Sequence, residues 1–145
     1  MAEGRNVSGH CLCGAVTYRA TTSNGDVSAC HCGMCRRWTG GPLLYIHVDD
    51  KPVFSGAEAI GVFRSSEIGE RGFCTKCGSV LFWKTAGKDS YTFTAGTLDD
   101  QSQLRFTREI FIDDKPAYYD FANETERLTG AQSTATYLDS SDKTE

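Results

Sequence analysis

Cys30-His31-Cys32-Gly33-Met34-Cys35 is the middle of three cysteine groups, and its reading decides that of the whole chain. Cys11-Leu12-Cys13 lies upstream and Cys74-Thr75-Lys76-Cys77 downstream, and together the groups account for all seven cysteines. C-x-C and C-x-x-C spacings let sulfurs converge on one soft metal ion. In an extended segment residues i and i+2 point to one side. Cys11 with Cys13, and Cys30 with Cys32, are therefore expected to face an ion from strands, with His31 turned away. His31 reads as a packing or supporting residue rather than a ligand. His10 and His47 lack metal-binding spacing and read as ordinary surface or core residues.

Phe73-Cys74-Thr75-Lys76-Cys77-Gly78 has the form of a zinc knuckle, because the glycine permits a tight turn that aims amide N–H groups at the sulfurs. Gly14 follows Cys13 in the same way, whereas Arg36 follows Cys35. Two divisions of the sulfurs fit the spacing. In one, Cys11, Cys13, Cys74 and Cys77 close a tetrahedral site and Cys30, Cys32 and Cys35 form an open one. In the other, the two C-x-x-C pairs make a zinc ribbon and Cys11, Cys13 and Cys30 are left over. The first keeps each group intact and is modestly favoured.

Composition bounds the alternatives. The chain has 145 residues, enough for one domain that buries roughly two-thirds of its unfolded surface. Net charge is −4, which argues against a general nucleic-acid binder. Met1 to His10 carries no secretory-signal pattern, and the apolar run around Leu43 to Ile46 is too short to span a bilayer. A cytoplasmic location is the expectation. There disulfides are rare, and an odd cysteine count with i, i+2 pairs suits a disulfide scaffold poorly.

Short β-type runs dominate: Ala15 to Arg19, Leu43 to Val48, Val53-Phe54, Ile60 to Arg64, Val80 to Trp83, Tyr91 to Ala95 and Glu109 to Ile112. Turn signals separate them at Gly40-Gly41-Pro42, Ser55-Gly56, Gly69 to Gly72 and Leu98-Asp99-Asp100. Asp99 and Asp100 read as turn-shaping residues rather than catalysts. Arg36-Arg37-Trp38 predicts a helical turn or two, and no longer helical periodicity stands out. The fold class is mostly β with few short helical turns. From Ala122 the composition turns polar, which predicts a loosely docked tail over 122–145 after a domain over 8–121.

Gly9-His10-Cys11-Leu12-Cys13-Gly14-Ala15-Val16-Thr17-Tyr18 resembles the opening of the glutathione-dependent formaldehyde-activating enzyme family, to which centromere protein V is related. Cys30 to Arg37 and Arg71 to Ser79 resemble its second and third cysteine motifs, and Gly96-Thr97-Leu98-Asp99-Asp100 and Lys115-Pro116 its later ones. The resemblance runs from Ser8 to Tyr119. It departs at Tyr118, where many relatives carry Trp, and at Trp38-Thr39, where small residues are common.

The resemblance implies a compact small-sheet zinc-binding fold shared with a Rab-GTPase exchange chaperone. It implies two zinc ions: a structural one on Cys11, Cys13, Cys74 and Cys77, and a catalytic one on Cys30, Cys32 and Cys35. The implied reaction is carbon–sulfur lyase/synthase chemistry, the addition of a glutathione-type thiol to formaldehyde or a related aldehyde. A zinc with three thiolates carries a charge of about −1 and suits sulfur chemistry better than hydrolysis. Arg36 and Arg37 are candidates to pair with the thiol's carboxylates, with Arg64 and Arg71 as further candidates, and Trp38 could wall the pocket. No nucleic-acid or membrane partner is expected. A non-catalytic zinc module that binds a protein partner is the alternative. The acidic balance speaks against a chromatin role like that of centromere protein V.

Overall fold

The computed structural model describes residues 4–143, with side chains described through residue 136. The described strands are β1 (Arg5–His10), β2 (Thr17–Thr22), β3 (Asp26–Cys30), β4 (Leu43–His47), β5 (Val53–Ser55), β6 (Ile60–Arg64), β7 (Gly69–Cys74), β8 (Val80–Thr85), β9 (Tyr91–Thr94), β10 (Arg105–Ile110) and β11 (Glu126–Arg127). Helix α1 covers Gly33–Thr39 and α2 covers Gly130–Lys143. Among the described residues no helix is long and apolar enough to cross a membrane. The expected mostly β class holds.

The chain divides into two units. The first joins residues 4–25 to Tyr45–Arg105. In it β1, β2 and β5 form a three-stranded antiparallel sheet, and β4, β9, β8, β7 and β6 follow one another as antiparallel neighbours. Aromatic side chains fill its core. Tyr18 stacks on Phe93 with ring centroids 3.8 Å apart, and Phe54 and Tyr91 crowd Phe82 at 5.7 and 5.0 Å. Tyr18 and Phe93 are fully buried, and the Tyr18 hydroxyl finds Thr97 Oγ1 at 2.7 Å, so its polar end is not stranded.

The glycines at Gly69 to Gly72 predict a turn, but the structure places them inside β7. An added Cβ at Gly69 would stand 2.5 Å from the Trp83 indole, and one at Gly72 would stand 2.2 Å from the Phe82 ring. Each glycine leaves room for an aromatic ring from β8 to lie over the backbone, a local arrangement that a turn reading of the same residues cannot anticipate.

The second unit joins Asp26–Leu44 to residues 106–143, with β3, β10 and β11 in the order β11-β10-β3. Helix α1 is short for local reasons. Cys32 caps its start by accepting from the Cys35 N–H, and Gly40, at φ 86°, ends it by donating to the Arg36 carbonyl.

The polar stretch carries two further elements, and residues 144–145 of the expected tail lie outside the described residues. Glu126–Arg127 pairs parallel with Arg108 and Glu109 of β10, and α2 follows with 14 residues, longer than the short turns the sequence suggested. Thr129-Gly130-Ala131-Gln132 is a reciprocal cap: Gln132 N–H donates to Thr129 Oγ1 at 3.2 Å, and Thr129 N–H donates to Gln132 Oε1 at 2.8 Å. That T-x-x-Q signature was legible in the sequence, though no apolar stripe follows it.

Replacing Gly72 with alanine is expected to cost about 1–3 kcal/mol by overpacking against Phe82. Gly96→Ala, where a Cβ meets nothing within 4 Å, is the control and should stay within about 0.5 kcal/mol of the parent. Denaturant titration of both variants checks this.

Candidate metal centres

In the first unit the Sγ atoms of Cys11, Cys13, Cys74 and Cys77 all lie within 4.8 Å of one another. Cys11 and Cys13 are 3.7 Å apart, and Cys13 and Cys74 are 3.9 Å apart. They do not converge by strand alternation, as the i, i+2 spacing suggested. Cys11 and Cys13 follow β1 in a tight turn, and Cys74 ends β7 with Cys77 in the turn beyond it. Gly14 at φ 80° donates to the Cys11 carbonyl, and Gly78 at φ 81° donates to the Cys74 carbonyl. The left-handed conformation that glycine tolerates closes each turn and leaves backbone N–H groups aimed at sulfur. Val16 N–H reaches Cys11 Sγ at 3.3 Å, and Lys76 N–H reaches Cys74 Sγ at 3.4 Å. Ser79 ties the two turns together: its hydroxyl accepts from Leu12 N–H at 2.9 Å and lies 3.2 Å from Cys77 Sγ.

Electrostatics around these sulfurs is uneven. The Ser79 hydroxyl and backbone N–H lower the Cys77 thiol to about 5. At Cys13 the Ala15 N–H lowers the pKa, but burial and three neighbouring sulfurs outweigh it and push the thiol up to about 11. Four sulfurs this close cannot all ionise without a cation among them. A set of four thiolates suits a tetrahedral soft metal such as zinc.

The second set lies in the second unit. Cys30 ends β3, Cys32 caps α1 and Cys35 lies in its first turn. Their sulfurs also lie within 4.8 Å of one another. Cys30 and Cys35 are buried, and Cys32 is partly exposed. Hydrogen bonds from the Cys30 and Cys35 thiols lower Cys32 to about 2, and the same contacts raise Cys30. Three sulfurs this close resist joint ionisation, and the set would favour a bound cation. With three sulfurs, a tetrahedral ion would keep one position for another ligand.

His31 is not part of that set. Its ring is fully buried, with Nε2 at 2.8 Å from Glu109 Oε1 and Nδ1 at 2.7 Å from the Tyr119 hydroxyl. Its backbone is held too: the N–H donates to the Ile110 carbonyl, and the carbonyl accepts from Arg36 Nε at 2.9 Å. Glu109, itself buried, accepts from Thr125 Oγ1 at 2.6 Å, and Arg127 Nε lies 3.6 Å away. The supporting role expected of His31 fits this geometry. Glu109, Tyr119 and Thr125 were not singled out from sequence. The one available signal was a charged residue set in an apolar β run at Glu109 to Ile112.

Arg36, Arg37 and Trp38 all lie on α1; Arg37 is exposed, and Arg36 and Trp38 are half-buried. Arg64 and Arg71 serve the loop between β6 and β7 instead. Arg64 binds the Ser66 and Glu67 carbonyls, and buried Arg71 donates to Ser65 Oγ. Asp100 caps Ser102, as a turn residue should, and Asp99 accepts from Ser8 and pairs with His10 at 2.7 Å. A half-open cleft on the first unit includes His10, Tyr18, Arg19, Phe54 and Asp99, and no cysteine lines it.

A mostly β fold carries one set of four and one set of three converging cysteines, each of which could hold a metal ion. The chain belongs to the glutathione-dependent formaldehyde-activating enzyme family, whose model matches residues 6–114. A lyase of Schizosaccharomyces pombe, named as uncharacterized, is 38% identical over 122 residues, covering 83% of this chain and 89% of its own. A Halomonas elongata protein provisionally named a glutathione-dependent formaldehyde-activating enzyme is 32% identical over 85 residues, covering 52% of this chain and 54% of its own. The crystal structure of a Rhodobacter sphaeroides protein has the same fold, with a TM-score of 0.56 at 22% identity, covering 69% of this chain and 99% of that one.

Glu109→Ala should destabilise the chain by about 3 kcal/mol, because it strips His31 Nε2 of its buried partner. Arg127→Ala removes a half-exposed partner of the same carboxylate and should cost about 1 kcal/mol or less. Equal losses in urea unfolding would contradict this ranking.

Proposed function

We propose that the chain is a zinc-dependent carbon–sulfur lyase/synthase that joins a glutathione-type thiol to formaldehyde or a related small aldehyde. The observation that carries this reading is the pairing of a complete four-cysteine set with a three-cysteine set. Cys11, Cys13, Cys74 and Cys77 would hold a structural zinc. Cys30, Cys32 and Cys35 would hold a second zinc, which supplies a centre able to keep a thiol ionised at neutral pH. Family membership and the lyase name of the yeast relative support an enzyme of this kind.

The chain's own residues supply binding and order. Arg36 uses Nε to hold the His31 carbonyl between two of the cysteines, so its guanidinium is fixed near the set. Arg36 and Arg37 offer forked donors to the carboxylates of a glutathione-type thiol. Trp38 offers an apolar wall. The cytoplasm, where thiols stay reduced, suits such a substrate. The alternative, a non-catalytic zinc module for a protein partner, would need only the four-cysteine set.

Metal analysis of the full chain should find about two zinc ions per molecule, falling to about one on joint replacement of Cys30, Cys32 and Cys35 by serine. Exchange NMR of glutathione with formaldehyde should show acceleration above background with the parent protein and none with the triple variant. Acceleration that survives the triple replacement would refute the open-site assignment. No acceleration by the doubly loaded parent would favour the binding module.

A further inference from the structure

Strand β6 ends the run β4-β9-β8-β7-β6, and among the described residues no strand lies on its outer side. Edge strands of soluble proteins are ordinarily blunted by proline, a mid-strand charge, a bulge or a covering segment. Ile60-Gly61-Val62-Phe63-Arg64 has no proline and no charge before its last residue. Its register against β7 is unbroken from Ile60 opposite Cys74 to Arg64 opposite Glu70. Arg64 does not shield the strand, because its guanidinium turns along its own chain to the Ser66 and Glu67 carbonyls. Val62 and Phe63 are 55% and 64% exposed.

Two hydrogen bonds fix which backbone groups face outward. Thr75 N–H donates to the Ala59 carbonyl at one end of the β6/β7 ladder, and Ser65 N–H donates to the Gly69 carbonyl at the other. Antiparallel pairing alternates, so Gly61 and Phe63 spend their backbone groups on β7, and Ile60, Val62 and Arg64 direct theirs away from it. The Ile60 N–H is already spent on the Ala57 carbonyl. The Ile60 carbonyl, both groups of Val62 and the Arg64 N–H are left facing outward.

This set is complementary to itself. When two copies of β6 lie antiparallel about a two-fold axis at Val62, each Val62 exchanges both bonds with the other. Each Arg64 N–H then meets the second copy's Ile60 carbonyl, and every residue of the strand has a partner. The side chains favour the same register. Within the sheet a glycine faces an aromatic ring across each of two ladders: Gly61 faces Phe73 and Gly72 faces Phe82, where an added Cβ would stand 2.5 and 2.2 Å from the rings. Centring on Val62 sets each exposed Phe63 opposite the second copy's Gly61, on the face that carries Phe73, and repeats that pairing at the edge. It also sets Arg64 opposite Ile60 and diagonal to the second copy's exposed Glu58, which places opposite charges together at both ends.

We propose that β6 is an interaction edge whose partner is β6 of a second copy of this chain, paired antiparallel with Val62 against Val62. A ladder of five residues is too short for a permanent dimer, so the association is weak, with a Kd of about 100 μM.

The test uses the zinc-loaded full chain. Sedimentation velocity should find mostly monomer at about 20 μM and mostly dimer at about 500 μM. Amide exchange followed by NMR at the same two concentrations reads the register. The Gly61 and Phe63 amides should exchange slowly at both, whereas those of Val62 and Arg64 should slow about threefold at the higher one. Val62→Lys puts a like charge from each copy at the axis and should abolish the dimer, with circular dichroism unchanged. Glu58→Lys lies outside the strand and should weaken the dimer about fivefold at low salt and less at high salt. A parent that stays monomeric at the higher concentration overturns the proposal, as does a dimer that forms without slowing the Val62 and Arg64 amides. A dimer that persists in folded Val62→Lys overturns it too. If Val62→Lys does not fold, an affinity unchanged in Glu58→Lys overturns it instead.

Discussion

The crowding of sulfurs is the constraint on which the site chemistry depends. Cys13 and Cys74 are 61 positions apart in sequence, yet their sulfurs stand 3.9 Å apart. Thiols placed so closely resist joint ionisation, and their repulsion is relieved when a cation takes the charge. The backbone is built for that outcome. Two glycine-closed turns present the sulfurs, N–H groups point at Cys11 and Cys74, and Ser79 bridges one turn to the other. The turn geometry, the register of β7 and the end of β1 all serve one cluster in the first unit.

The second unit meets the same constraint with fewer sulfurs and more protein support. Cys30, Cys32 and Cys35 come from a strand end, a helix cap and a helical first turn, so their spacing is set by local structure. What lies between them is also determined. His31 is clamped through its N–H, its carbonyl and both ring nitrogens. A fully satisfied buried polar chain holds its members in one arrangement, because each alternative strands a charge or a donor. Rigidity of this kind keeps the backbone between Cys30 and Cys32 in one arrangement.

Much of this was legible in the sequence, and the remainder was hidden for physical reasons. Cysteine spacing picks out the groups that converge, because a turn of three or four residues brings near neighbours together. It left two divisions open, since spacing says nothing about which distant pairs meet. Alternation located β6 to the residue and β9 to within one. It missed β7, because Gly69 and Gly72 look like turn residues until Trp83 and Phe82 are seen lying over them. Helix α2 escaped for a related reason. Its cap at Thr129 and Gln132 is explicit, but no apolar stripe marks the residues that follow. The partners of His31 were the least legible part. Glu109, Tyr119 and Thr125 come from remote segments, and only tertiary structure assembles them.

One spectroscopic measurement bears on the division into four and three. Zinc K-edge X-ray absorption of the fully loaded chain, without added thiol, reports the mean number of sulfur ligands per zinc. One closed and one open centre predict about 3.5 sulfurs with a minority of nitrogen or oxygen scatterers. A mean of four sulfurs per zinc would contradict the open centre, and so would a preparation that saturates at a single zinc per chain.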